Sequence, residues 1–253
     1  MIRVAAVGDV HFGDDSAGTL RPHLESLREN ADVLLIAGDL TRHGLADEGL
    51  VLADELRDLP VPVITVLGNH DYHCDAEADI RRGLERAGVI VLEGQSTVVE
   101  VGGETLGVAG VKGFCGGFAG ACGSDFGEPE MKAFIRHTKS ISRILQARLE
   151  ELQTDYKVAL LHYSPVEDTL VGERLEVYPF LGSYLLAEAI DSAGADLALH
   201  GHAHRGSEKG LTTAGVHVRN VAQPMLGRPY TVYSLGSSER EESTAGITAS
   251  RSG

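Results

Sequence analysis

Short β-branched runs alternate with helical patterns along this chain, and several of the runs end on a glycine followed by an aspartate, an asparagine or a histidine. Strand–helix–strand alternation points to an α/β fold. The first run, residues 3–9, leads through a predicted helix at 20–30 to a second strand at 33–39. A helix at 46–59 precedes a strand at 61–67, and a helix at 75–87 precedes a short strand at 89–92. Runs at 97–101 and 104–109 flank Gly102-Gly103, the pattern of a β-hairpin whose turn needs positive φ. Residues 110–127 are rich in glycine and hold Phe114, Phe118 and Phe126, as a tightly turning or mobile loop would. Pro129 opens a long predicted helix with apolar residues at Phe134, Ile141, Ile144, Leu145 and Leu149, a spacing that usually means core packing. Strands at 157–162, 196–200, 216–221 and 230–234, with a helix at 183–192, complete the pattern. Residues 1–234 are expected to form one domain, in which 110–152 is an insertion suited to a lid or a dimer face. Residues 235–253, rich in Ser, Gly, Thr and Glu, read as a disordered tail.

At 43% hydrophobic and 23% charged residues, the 253-residue chain has an ordinary globular composition. No apolar run approaches the roughly 20 residues that span a bilayer. Met1 leads straight into a strand-like run, without the basic, apolar and cleavage segments of a signal peptide. A cytoplasmic protein is therefore expected. The cysteines, Cys74, Cys115 and Cys122, do not form a disulfide framework, and Cys115 and Cys122 lack the second pair that a zinc site needs. Cys74 reads as a small buried hydrophobe. A net charge of −15 with no basic run opposes binding to a nucleic-acid backbone.

The polar residues that follow the strands fall into five blocks: Gly8-Asp9-Val10-His11, Gly38-Asp39-Leu40, Gly68-Asn69-His70-Asp71, the lone His162, and His200-Gly201-His202-Ala203-His204. Loops beyond the carboxyl ends of neighbouring strands converge in open α/β sheets, so blocks far apart in sequence can meet. Asp9 and His11 lie two apart in an extended segment and can turn to one side of it. Asp39 leaves the apolar run Val33-Leu34-Leu35-Ile36, where an unpaired charge is costly. A carboxylate has two oxygens and can bridge two cations. Asn69 offers oxygen without further negative charge, and His162, His202 and His204 add imidazoles. Mixed oxygen and nitrogen ligation without thiolate suits Mn, Fe, Zn or Co.

The order of these blocks resembles the calcineurin-like metallophosphoesterase superfamily. All of them are present, in that family's order, between Asp9 and His204. The resemblance implies a four-layer αββα sandwich of two mixed β-sheets flanked by helices, with the site at one edge; strand count alone would also suit a single doubly wound sheet. It assigns Asp9, His11 and His204 to one metal, Asn69, His162 and His202 to a second, and Asp39 to both. It makes His70 the catalytic histidine that assists the leaving group, with Asp71 orienting it through a hydrogen bond. It implies hydrolysis of a phosphoester by hydroxide generated on a metal pair, on a small phosphorylated substrate, with a phosphodiester slightly favoured over a monoester. A nuclease is the alternative, and a scaffold that has lost the chemistry is a weaker one, because no ligand position is degenerate.

Other residues carry weaker signals. Arg42, His43 and His73 lie within a few residues of the ligands and are candidate substrate contacts, although a solvated arginine is the ordinary reading of Arg42. His200 is expected to brace its neighbours. His23, His137 and His217 stand outside the blocks and read as structural or surface residues. Specificity is expected in 114–126, in the helix that follows and in 165–182, where Glu173, Arg174 and Tyr178 are candidates. The ligand types leave the oligomeric state open, a homodimer included.

Overall fold

The structure, a computed structural model, describes residues 1–236. In chain order its strands are β1 (Ile2–Val7), β2 (Val33–Ala37), β3 (Val63–Val66), β4 (Ile90–Val91), β5 (Gln95–Val101), β6 (Glu104–Gly110), β7 (Gly117–Phe118), β8 (Ala121–Cys122), β9 (Tyr156–Leu160), β10 (Leu197–His200), β11 (Lys209–Leu211), β12 (His217–Asn220) and β13 (Thr231–Leu235). One mixed sheet has the order β13-β1-β2-β3-β4, and a second has the order β11-β12-β10-β9-β6-β5. β1 to β4 run parallel, as do β6, β9, β10 and β12, while β13, β5 and β11 are antiparallel edges.

Period-2 alternation sorts the side chains into layers. On β1 and β2, Val4, Ala6, Val33, Leu35 and Ala37 face the other sheet and meet Leu106, Val108, Val158, Leu160 and Leu199 between the two. The alternate residues Ala5, Val7, Leu34 and Ile36 pack against Leu52 and Leu56 of the helix Ala46–Leu56 and Ile80 and Leu84 of the helix Glu77–Arg86. On the far side, Ala109, Ala159, Leu161 and Ala198 pack against Leu145 and Leu149 of the helix Pro129–Glu151 and Leu186 and Ile190 of the helix Tyr184–Ala193. The result is the expected αββα sandwich. The inner strands β2, β3 and β10 are buried on both faces, which explains why they read as near-continuous apolar runs.

Several local expectations need adjustment. The predicted helix at 20–30 is two short turns, Arg21–Leu24 and Leu27–Asn30, separated at Ser26, whose backbone leaves the helical region with φ −91° and ψ 13°. The hairpin turn Gly102-Gly103 has φ of 57° and 88°. The glycine-rich stretch contains the small hairpin β7–β8, and β11 and the turn Gln223–Leu226 had no sequence signal. Leu235, placed at the start of the tail, pairs with Ile2 as the end of β13; the rest of the tail, from residue 237, lies outside the described residues. Cys74 is exposed rather than buried, and all three cysteines are free. Among the described residues no helix is long and apolar enough to cross a membrane.

Candidate metal centre

β1, β2 and β3 all end at the same edge of the first sheet, and β9 and β10 end at the matching edge of the second. The loops that leave them carry every ligand candidate. Backbone bonds lock these loops together: Asp9 N–H donates to Gly38 at 2.9 Å, His11 N–H to Asp39 at 3.1 Å, and Gly201 N–H to His162 at 3.1 Å. Six non-glycine residues among those described have positive φ, and four of them are Asp9 (56°), His11 (44°), Asp39 (49°) and His202 (69°). Each such residue costs on the order of 1–3 kcal/mol, a strain that persists only where the surroundings over-determine it. Bending at successive loops turns the side chains inward.

The donor atoms gather in two groups that share Asp39. Asp9, His11, Asp39 and His204 present one ligand atom each within 4.8 Å of one another, and so do Asp39, His162 and His202. The two oxygens of the buried Asp39 carboxylate divide between them: Oδ1 lies 3.3 Å from His162 Nε2, and Oδ2 lies 3.8 Å from His11 Nε2. His204 Nε2 stands 2.9 Å from Asp9 Oδ1, and 3.4 Å from His11 Nε2. Asn69 Oδ1 lies 2.9 Å from His162 Nε2.

Hydrogen-bond accounting tests whether cations fit here. His162 is fully buried, and its Nδ1 donates to the Ala37 carbonyl at 2.9 Å. A carbonyl can only accept, so in the neutral ring Nε2 bears a lone pair. That lone pair faces Asn69 Oδ1 and Asp39 Oδ1, which are also acceptors, and acceptors converging without a proton between them are what a cation needs. Burial together with neighbouring imidazoles pushes His202 down to about 3 and keeps its ring neutral. Burial also lowers His11 against the pull of Asp39 and Asp9. Asp9 is buried as well, but the His204 ring and the imidazoles around it hold its carboxyl below the usual range. The residues present therefore fit a pair of hard or borderline cations.

Glycines permit the close approach. A Cβ on Gly68 would collide with the carboxylate and backbone nitrogen of Asp39, and one on Gly201 would collide with Asp9.

His70 stands at the rim, on a short turn with Asp71 and Tyr72. Its Nδ1 donates to the Arg42 carbonyl at 2.8 Å, which leaves Nε2 3.9 Å from Asp39 Oδ2, and its ring meets that of His11 at 4.5 Å between centroids. The expected bond from Asp71 to His70 is not made. Asp71 is fully buried and accepts from Leu40, Thr41 and Gly68 N–H groups and from the Thr41 hydroxyl. Its part is to tie two ligand-bearing loops, and Arg42 orients His70 through its backbone.

The three candidate substrate contacts are engaged elsewhere or face solvent. The Arg42 guanidinium pairs with Asp15 at 2.9 Å, and His43 Nδ1 lies 2.8 Å from the buried Glu48. His73 is exposed, its N–H on the His70 carbonyl. His200 is a brace as expected: Nδ1 lies 2.7 Å from the Gly201 carbonyl and Nε2 2.8 Å from the Thr169 hydroxyl, and burial holds its ring down at about 4. Sequence reasoning passed over Tyr163, whose ring lies 4.5 Å from that of His202, and Phe180, whose carbonyl is 3.4 Å from His202 Nε2.

Two mixed sheets with acidic, amide and imidazole donors converging at one edge define a metal-dependent hydrolase architecture. A family model described as calcineurin-like phosphoesterase matches residues 2–206, and the chain belongs to that family. The fold is similar to that of the phosphopantetheinyl hydrolase from Mycobacterium tuberculosis, with a TM-score of 0.66 and 18% identity over 92% of this chain and 98% of that one. It is also similar to TT1561 of Thermus thermophilus, with a TM-score of 0.57 and 15% identity over 92% of this chain and 98% of that one. GAP50, an anchor in the inner membrane complex of Plasmodium, has a TM-score of 0.55 and 12% identity over 88% of this chain and 72% of that one. No curated protein matches the chain.

Proposed function

We propose that this protein hydrolyses a phosphoester of a small phosphorylated molecule, with phosphodiesters slightly favoured, at a pair of metal ions held by Asp9, His11, Asp39, Asn69, His162, His202 and His204. The observation that carries the reading is the sharing of Asp39 between two donor groups, one on each of its oxygens. Bound there, a metal pair supplies a nucleophile at neutral pH and draws charge from the phosphoryl oxygens.

The chain's own residues do the rest. Asp9 and Asp39, both buried, give the site the negative charge that holds cations and are themselves held by the backbone N–H groups of His202 and His70. His70, with Nδ1 committed to the Arg42 carbonyl, has Nε2 as its working atom. When that nitrogen carries a proton it can donate to the leaving oxygen, a transfer that contributes roughly 10²–10⁴-fold. Asp71 and Gly68 keep the loops at the separation the ligands need.

The fold does not choose the chemistry, since an inner-membrane-complex anchor has a similar one. The intact donor set supports the enzymatic reading over a scaffold, and the net charge of −15 weighs against a nuclease. The test is elemental analysis of the protein as isolated. It is followed by assay of Mn-, Fe-, Zn- and Co-loaded protein on a chromogenic bis-ester, cyclic nucleotides, 5′-nucleotides and phosphopantetheinyl esters. Two ions per chain and turnover on at least one ester are expected. Absence of turnover with all four metals would overturn the proposal in favour of a scaffold.

A further inference from the structure

Next to the loops of the metal centre lies a cavity of about 220 Å³, lined by Tyr72, Glu93, Lys112 and His137 and by the aliphatic Val111, Ile141 and Ile144. Lys112 is its unusual member. Its Nζ stands 4.4 Å from the centroid of the Tyr72 ring, 5.4 Å from that of Phe114 and 5.9 Å from that of Tyr163. Among the described residues it makes no ion pair within 4.0 Å and no hydrogen bond. Glu93, the carboxylate that acts on it most strongly, is occupied elsewhere: one oxygen accepts the Leu67 N–H at 2.9 Å and the other the Tyr72 hydroxyl at 2.8 Å. Ring faces offset part of the cost of withdrawing an ammonium from water, but they leave its three donors unused. In a chain carrying a net charge of −15, a part-buried cation that lines a cavity with Glu93 as a neighbour, but with no carboxylate oxygen within 4.0 Å among the described residues, is a site for a ligand anion. Val111, Ile141 and Ile144 make part of the lining aliphatic, so the ligand's body is apolar or aromatic.

The cavity shares its walls with the metal-binding loops. Tyr72 is two residues past His70 on the same turn. The Lys112 carbonyl accepts the N–H groups of His162 and Tyr163 at 2.9 and 3.0 Å, and the Tyr163 ring leans on His202. We propose that this cavity is a substrate subsite. It receives the part of the ester remote from the reacting phosphorus, an apolar or aromatic body that ends in a carboxylate or phosphate, and Lys112 Nζ holds that anion. The role at the reacting centre rests on the function proposed above; the binding site itself does not.

Two measurements test it. The first compares metal-loaded protein on 4-carboxyphenyl phosphate and phenyl phosphate, and on the methyl diesters of both. The wild type is expected to favour the carboxylated partner by about tenfold or more in kcat/KM, the scale of one charge-assisted hydrogen bond. In Lys112→Gln that preference should fall to near unity, and Lys112→Arg should keep part of it. If Lys112 only balances Glu93 within the fold, the variant slows both esters alike, the ratio stays at its wild-type value, and the subsite is overturned. The second titrates chelator-treated protein with 4-hydroxybenzoate and with phenol by calorimetry. Wild type should bind the benzoate, and Lys112→Gln should bind it about tenfold more weakly. Equal binding by the two proteins, or none by wild type, overturns the subsite. Binding with no hydrolysis of these esters or of the ester panel above would leave the subsite standing and remove the proposed reaction.

Discussion

The carboxylate of Asp71 takes both the backbone N–H and the hydroxyl of Thr41, at 2.8 and 2.6 Å, inside the core. The same group also takes the N–H of Gly68, so the loop after β2 and the loop after β3 are joined through one side chain. Asp71→Ala orphans three buried N–H groups, and a loss of stability on the order of 3 kcal/mol or more is expected. Metal content should fall with it. Thermal melting and elemental analysis check this; a variant with wild-type melting temperature and full metal content would return Asp71 to a purely catalytic role.

His70 touches the centre from the outside. His70→Ala should lower kcat about 100-fold or more while the metal content stays near two ions per chain. Loss of most of the bound metal would mean that the ring is a ligand.

Asp39 belongs to both donor groups and Asp9 to one. Asp39→Asn should therefore reduce occupancy at both positions, and Asp9→Asn chiefly at one, as metal-to-protein ratios would register. Chelation should lower the melting temperature of the wild type, and added Mn should restore it, because ions that bind only the folded chain stabilise it. A chelated protein that melts with the loaded one would count against a built metal site.

Gly68→Ala introduces a carbon where the Asp39 carboxylate lies. The variant should fold with weakened metal affinity, by roughly tenfold or more, as misplacing a ligand or its support commonly does. Wild-type affinity in a metal titration would show that the loop can yield.

Far from the site, Arg3 holds Asp32 through its backbone N–H at 2.7 Å and its guanidinium at 2.8 Å, and the arginine bond keeps the Asp32 carboxyl below the ordinary value. A carboxyl lowered by folding adds stability that is present above its unfolded value near 4 and is lost as the pH falls through the folded value. Asp32→Asn should lower the melting temperature at neutral pH by about 2 °C or less, given the partial exposure of the pair. The difference from wild type should shrink as the pH falls below the unfolded value and close once it passes below the lowered folded one. A constant difference across pH would assign the effect to packing.

The α/β alternation and the polar blocks were legible because the physics behind them is local: buried strands need apolar runs, and the blocks follow the runs; the sandwich and the division of the ligands came from the family resemblance. The roles of individual side chains were less so. Adjacency suggested that Asp71 would serve His70, yet successive residues on a tight turn point about 120° apart, and Asp71 goes inward while His70 goes to the rim. The left-handed backbone at Asp9, His11, Asp39 and His202 was not read from sequence, because Asp and His adopt positive φ more often than most residues but far less often than glycine. Lys112 gave no signal either, because a single lysine after an apolar strand looks solvated until the rings of Tyr72, Phe114 and Tyr163 are seen around it.

The antiparallel pairing of β13 with β1 sets Leu235 opposite Ile2, with Gly236 against Met1. β1 runs from there toward Asp9, so this seam sits at the pole remote from the catalytic edge, about 20 Å away at strand rise. With residues 237–253 removed, a short peptide could join Gly236 to Met1 and the chain be reopened at Gly102-Gly103, giving a circular permutant in which every loop of the hydrolytic edge keeps its native connections.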